Sequence, residues 1–592
     1  GSEMCIRDSN YIIKKLSKKV KNKKRAANKH PGLIMLEIDG LAKEILDEAI
    51  EKGYMPTLKR WIENKTHTLK EWETDLSSQT GASQAGILHG NNKDIIAYRW
   101  VEKENNNKII VSSNFSHAPL IEQKISDGNG LLSDKGASRA NMFSGDSDNF
   151  IFTSSKIIEL NKLYNKTWYS VFTTSNSFQR IFVLFLWDIL KELKSQIVHK
   201  IKNIQPRMKR GIVYATLRAG GNVFLREVVT ETLAGDILNG EINSAYATYV
   251  GYDEVAHHSG IRDNDVWSVL KEIDLEINRL ENAESISKRP YEFVILSDHG
   301  QGNGATFKQR YGITLGNFVR RFLPEDMKSL RTDEESDHFR NSYIPKNESI
   351  ENIREKMDNI KNHDIFEEYE SLQNIKEKSI DFLKIDELYK SEQIQTLRKK
   401  YSDSLDYIRG YEASQHTTKK ASDSELIVLG SGNLGLIYLT QWKHRLTYEE
   451  IISLFPDLIP GLVKHPGIGF ILVNSLANGG MVIGKNGIYY LESDEIIGEN
   501  PLANFGKNAP KHLKRHNTFK NMPDILVNSF YDPESGDICA FEELIGSHGG
   551  LGGTQTKPFI LYPSDWNCPD ELVGAKSIYD LLKNGMKKLK EE

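Results

Sequence analysis

Short apolar runs that stop at a carboxylate recur along this chain, and they predict most of its architecture. Gly32-Leu-Ile-Met-Leu-Glu-Ile ends at Asp39-Gly40, and Leu41 to Lys52 then follows at helical spacing until Gly53. A continuous apolar run reads as a strand covered on both faces, and the helical period behind it makes the pair a βα unit. Pro56 opens a second helix, Thr57 to Asn64. Ala245 to Val250 is strand-like and leads into Gly251-Tyr-Asp253-Glu-Val-Ala-His257. The four-residue spacing puts Asp253 and His257 on one face of a helical turn. Tyr291-Glu-Phe-Val-Ile-Leu stops at Ser297-Asp298-His299-Gly300. Alternating strands and helices predict a three-layer α/β core with a mostly parallel sheet, whose strand carboxyl ends are where ligands sit.

Between these units the pattern is less regular. Thr74 to Gly90 gathers small and hydroxyl residues (Ser77, Ser78, Thr80, Ser83) ahead of a short apolar segment. A hydroxyl there is either a helix cap or a nucleophile held where backbone N–H groups accept a phosphate. Tyr98-Arg99-Trp100 and Asn141 to Asp146 are candidate pocket loops. The densely charged stretch 310–424 predicts a helical insertion or cap that divides the core into 31–309 and 425–592. Gly430-Ser-Gly432-Asn-Leu-Gly435 contains a G-x-G-x-x-G, but a second strand rather than a helix follows it, so it reads as a hairpin turn. Asp524 to Asn528 is expected to rejoin the main sheet, and Ile545 to Gly553 is a Gly-rich loop holding His548.

Bulk properties narrow the function. Across 592 residues the net charge is −4, so no global basic field points to nucleic acid, and no nucleic-acid-binding motif is present. Cys5, Cys539 and Cys568 neither pair by spacing nor form a C-x-x-C, which excludes a disulfide framework and a cysteine metal site. Gly1 to Ser9 reads as a scar, with the natural N-terminus expected upstream. The basic block Asn10 to Arg25 is a solvated tail or a segment lying on an anionic leaflet. No run approaches the ~20 apolar residues of a spanning helix. Ile181 to Trp187, broken at Asp188, reads as a buried or cap helix, with a membrane-surface helix as the second reading.

Collected, the chemistry-bearing positions are Asp39, Thr80, Asp253 with His257, Asp298 with His299, and His548. Carboxylate oxygen and imidazole nitrogen in this ratio suit two divalent cations, Zn²⁺ first and Mn²⁺ as the alternative. The order Asp, Thr, Asp-x-x-x-His, Asp-His, His resembles the alkaline phosphatase superfamily, most closely its type I phosphodiesterase and nucleotide pyrophosphatase branch. The likeness covers roughly residues 31–302 and 480–563. It implies a two-metal phosphodiesterase acting through a phosphothreonine on Thr80. Asp253, His257 and His548 would form one metal site; Asp39, Asp298, His299 and Thr80 would form the other. Ser83 stands where the resemblance implies an Asn, and with Tyr98, Arg99 and Trp100 it completes the expected substrate-binding set.

Two further enzyme readings belong to the same superfamily, a phosphoglycerol or phosphoethanolamine transferase and a phosphomonoesterase. A metal-stabilised binding protein is the non-enzyme alternative. The resemblance extends to bacterial members in which a similar domain follows transmembrane helices and lies outside the cytoplasm. The basic block, by the positive-inside rule, argues for the cytoplasmic face instead.

Overall fold

The computed structural model describes residues 30–156, 175–208, 210–324, 330–332 and 425–591. The scar, the basic block and, from residue 333 onward, the expected insertion lie outside the described residues.

Gly32–Ile38 is buried along its whole length and lies between Ser244–Tyr249 and Tyr291–Leu296, both parallel to it. These strands are the centre of a seven-stranded sheet. Gly136–Arg139 and Asn149–Ile151 extend it in parallel on one side. On the other side Phe559–Pro563 pairs antiparallel with both Tyr291–Leu296 and His67–Glu71. The side-chain alternation of the central strand sorts the layers. Ile34, Leu36 and Ile38 share one buried cluster with Leu233, Ile237, Leu270, Ile273 and Ile277 of the helices Arg226–Asn239 and Asn264–Glu284. Glu37 faces the opposite layer, where the helices Thr80–His89 and Ala575–Glu591 pack together. The fold is the expected α/β architecture with a mostly parallel central sheet.

A second sheet of eight strands departs from the expected layout. Asp524 to Asn528 does not rejoin the main sheet: Ile525–Ser529 pairs antiparallel with Leu434–Leu439 and Ile468–Ser475. The physical reason is packing: Ile525 and Val527 bury in the core that Ile437 and Ile471 of the two flanking strands share, and these partners lie far apart in the chain. Only Phe559–Pro563 returns to the main sheet from this part of the chain. Leu315, Phe318 and Val319, inside the stretch expected to be a charged cap, belong to the core of this second sheet. The G-x-G-x-x-G is a hairpin turn, with Leu426–Ser431 and Leu434–Leu439 pairing across Gly432-Asn433.

Ile181 to Trp187 lies in the helix Ser175–Ile201. Against expectation it is not a buried helix: Ile181 is covered, but Phe182, Val183, Leu186 and Trp187 are exposed. No helix among the described residues is long and apolar enough to cross a membrane.

Candidate active site

The parallel register brings the strand ends together. Glu37 sits opposite Thr248 on one neighbour and Leu296 on the other, so Asp39 and Asp298 emerge side by side. Gly40 turns the chain away with φ +73° and donates its N–H to Asp298 Oδ1 at 3.2 Å. A Cβ at this glycine would lie 2.2 Å from Asp253 Oδ1, so only glycine lets the Asp253 carboxylate approach the end of the first strand. Gly251–Ser259 is helical and presents Asp253 and His257 on one face, their Oδ2 and Nε2 atoms 2.9 Å apart.

The remaining members arrive from farther along the chain. His299 Nε2 lies 3.2 Å from Asp298 Oδ2 and 3.6 Å from Asp39 Oδ1. His548 Nε2 lies 3.7 Å from Asp253 Oδ1, and its ring stacks on His299 with centroids 3.8 Å apart. Thr80 is the first residue of its helix, with its Oγ1 3.1 Å from His299 Nε2 and 3.5 Å from Asp39 Oδ1. Ser78 is committed elsewhere, donating to the Gly550 carbonyl and accepting from the Gly549 N–H. The imidazoles are oriented from behind. His257 Nδ1 lies 2.7 Å from the Gly546 carbonyl, His548 Nδ1 2.8 Å from the Ser78 carbonyl and His299 Nδ1 3.0 Å from the Gly300 carbonyl. An N–H donated there leaves Nε2 as a lone-pair donor toward the cluster.

Electrostatics give the cluster its character. Burial, then Asp298, Asp253 and Glu37, push the Asp39 carboxyl well above the usual carboxylate range. Burial, then Asp253, raise Asp298 to about 7; burial, then Asp298, raise Glu37 to about 8. Burial opposes the charge of Asp253 too, but His257, His548 and His299 outweigh it and hold this carboxyl well below its ordinary value. His257 is pushed up to about 9 because Asp253 outweighs the burial of its ring.

Among the described residues no lysine or arginine pairs with Glu37, Asp39, Asp253 or Asp298. Asp298 Oδ2 is buried without a hydrogen bond. Buried carboxylates in this number are neutralised either by retained protons or by a bound cation. The donor set fits one: Asp39, Asp298 and His299 offer ligand atoms within 4.8 Å of one another, as do Asp253, His299 and His548.

Two contributors have no counterpart in the sequence reading. Glu37 accepts hydrogen bonds from Gln84, Thr248 and Tyr246, which ties the sheet to the Thr80–His89 helix. A carboxylate inside an apolar strand was its visible signal. Gln301 donates to the side chain and the carbonyl of Asp253, and only its place behind Asp298-His299-Gly300 pointed to it.

The expected substrate contacts are placed differently from one another. Ser83 is buried one turn along the helix. The Tyr98 N–H donates to Ser431 Oγ at 2.9 Å, beside the Ser431 contacts of Gln79, so the Tyr98 backbone adjoins the start of that helix. Trp100 is buried, and Arg99, 1 % exposed, forms an ion pair with Glu542.

A hydroxyl at a helix start, above buried carboxylates and imidazoles at the carboxyl end of a parallel sheet, is the arrangement of a metal-dependent hydrolase of phosphoesters. The profile of the type I phosphodiesterase/nucleotide pyrophosphatase family matches residues 33–449, and the chain belongs to that family, within the alkaline phosphatase superfamily. It is an enzyme acting on phosphoesters, and the binding-protein reading falls away. No curated protein matches the chain. Similar solved structures include phosphonoacetate hydrolase from Sinorhizobium meliloti 1021, at 12% identity over 95% of this chain and 97% of that one, with a TM-score of 0.43. Human ectonucleotide pyrophosphatase/phosphodiesterase 5 has 10% identity over 94% and 95%, with a TM-score of 0.43. The murine protein gives the same identity and coverage with a TM-score of 0.41.

Proposed function

We propose that this enzyme is a phosphodiesterase that binds two divalent cations, zinc in preference to manganese, and works through a phosphothreonine on Thr80. The observation that carries this reading is the position of the Thr80 hydroxyl, 3.1 Å from His299 Nε2 and 3.5 Å from Asp39 Oδ1 at the rim of the cluster. Asp253, His257 and His548 would hold one cation and Asp39, Asp298 and His299 the other; His299 lies within reach of both groups. Bound there, the cations would supply Lewis acidity and neutralise charge on the phosphoryl oxygens.

The chain's own groups perform the rest. Asp39 and His299 orient Thr80 Oγ1, whose proton passes to solvent water. The oxygen attacks phosphorus, a P–O bond forms, and the bond to the departing alcohol breaks as that alkoxide takes up a proton. Backbone N–H groups at the start of the Thr80–His89 helix would receive the phosphoryl oxygens. Water then attacks the phosphothreonine, releasing a phosphomonoester and restoring the hydroxyl.

Thr80→Ala tests this directly. The expected outcome is a loss in kcat of about a thousandfold or more with metal content unchanged, together with disappearance of a covalent phosphopeptide containing residue 80 in rapidly quenched digests. Wild-type turnover in Thr80→Ala would transfer the nucleophile's role to water and end the phosphothreonine mechanism.

A further inference from the structure

The helix Ser175–Ile201 and the shorter helix Ile212–Ala219 pack against each other, and the first is built inside out. Asp188 and Glu192 are the only acidic residues from Ser175 to Arg218, and both are fully buried. They face inward, where Arg218 pairs with both and Arg210 reaches Glu192 at 3.2 Å. His199, on the same face, lies 3.1 Å from Asp263. The opposite face is apolar and exposed. Phe182, Leu186, Leu190, Ile197 and Ile201 recur at intervals of four and seven residues, flanked by Val183 and Trp187, and Ile212, Val213 and Leu217 of the second helix are exposed as well. Trp187 is 59% exposed and Ile201 78%. At 1.5 Å per residue this stripe runs roughly 30 Å, far beyond the scattered apolar residues of an ordinary surface.

Charge selects the occupant. With both acids turned inward, the exposed charge described along this helix and just past its end is positive, from Lys194, Lys200 and then Lys202. An aromatic and aliphatic face whose own helix exposes lysines and no carboxylate among its described side chains matches a helix lying in the plane of an anionic bilayer surface. We propose that this face rests on anionic lipid, with Trp187 and its neighbours at the level of the acyl-chain boundary and the lysines among the headgroups. The interaction uses residues separate from the catalytic cluster and from the basic block 10–25.

The test uses the full chain and vesicles of phosphatidylcholine with or without a third of phosphatidylglycerol, the lipids brominated in their acyl chains. The proposal expects partitioning only onto the anionic vesicles, with quenching of tryptophan fluorescence that disappears in Trp187→Phe. Phe182→Gln combined with Leu190→Gln should weaken partitioning at least tenfold, while activity on a soluble nitrophenyl diester and the far-ultraviolet spectrum stay unchanged. Equal partitioning of the double variant would overturn the proposal, because the basic block alone would then account for binding. Quenching that persists in Trp187→Phe would overturn it as well. So would a dimer that the double variant dissociates without any effect of lipid, which would make a second copy of the chain the occupant.

Discussion

Gln301 shows how much of this site rests on groups that hold the candidate ligands in place. Its amide donates to the Asp253 carbonyl at 3.1 Å and also to Oδ1 of that side chain, fixing the carboxylate between His257 and His548. Amides that orient a ligating carboxylate commonly set metal affinity by 10–100-fold. Gln301→Leu is expected to lower metal affinity by about that factor, with kcat recovering at saturating metal. Metal titration followed by activity separates this outcome from a plain loss of fold. Gly40 acts at the same scale by leaving out a Cβ that Asp253 would meet. The positions that converge at the site were legible in the sequence because Asp and His stood at the ends of apolar runs. The roles of Glu37 and Gln301 were not, because a supporting residue is defined by what it reaches across the fold; Glu37 showed only as a carboxylate inside an apolar strand.

At the scale of elements, the helix Thr80–His89 joins the proposed nucleophile to a titrating anchor. His89, at its last turn, is buried with Nε2 3.0 Å from Glu122 Oε1 and Nδ1 3.7 Å from Asp146 Oδ2. Burial opposes its charge, but Asp146 and Glu122 outweigh that and raise its pKa from 6.5 to about 9. Because the folded value is the higher, the stabilisation is fully present below pH 6.5 and is lost as pH rises through about 9. The wild-type thermal midpoint should therefore fall between pH 6.5 and 9, and His89→Gln should flatten that part of the curve. A parallel decline in both proteins would place the titrating group elsewhere. Strands were easier to read than their partners. The run ending at Asn528 is a strand, as its apolar pattern indicated, yet it lies in the second sheet. Periodicity reports how a segment is buried, whereas its neighbours follow from connections that no local window contains. The helix containing Trp187 misled for a related reason, since an apolar stripe reads as a core face whichever way it points.

For the whole molecule, the expected preference is for diesters over monoesters. A dianionic monoester requires added positive charge around its non-bridging oxygens, often from a bidentate arginine. Arg99, the nearest arginine downstream of the Thr80–Gly90 segment, is ion-paired with Glu542. The ratio of kcat/KM for matched nitrophenyl diesters and monoesters checks this, and a higher value for the monoester would move the enzyme to the phosphatase branch. Chelation should also lower Tm, because a cation held only by the folded chain stabilises it by mass action. The site draws on residues from 39 to 548 and on both sheets: the Asn433 N–H of the second sheet holds the His548 carbonyl at 3.0 Å. Such a crowd of carboxylates has one more consequence, in the currency of protons. Asp298, raised to about 7, and Asp39, held well above the usual carboxylate range by burial and its carboxylate neighbours, retain protons more readily than free carboxylates in the metal-free protein, and a cation must displace those they hold. Metal uptake is thus an acid-producing reaction. Its calorimetric heat will vary with the ionisation enthalpy of the buffer, and a weakly buffered solution will turn measurably more acidic as the site fills.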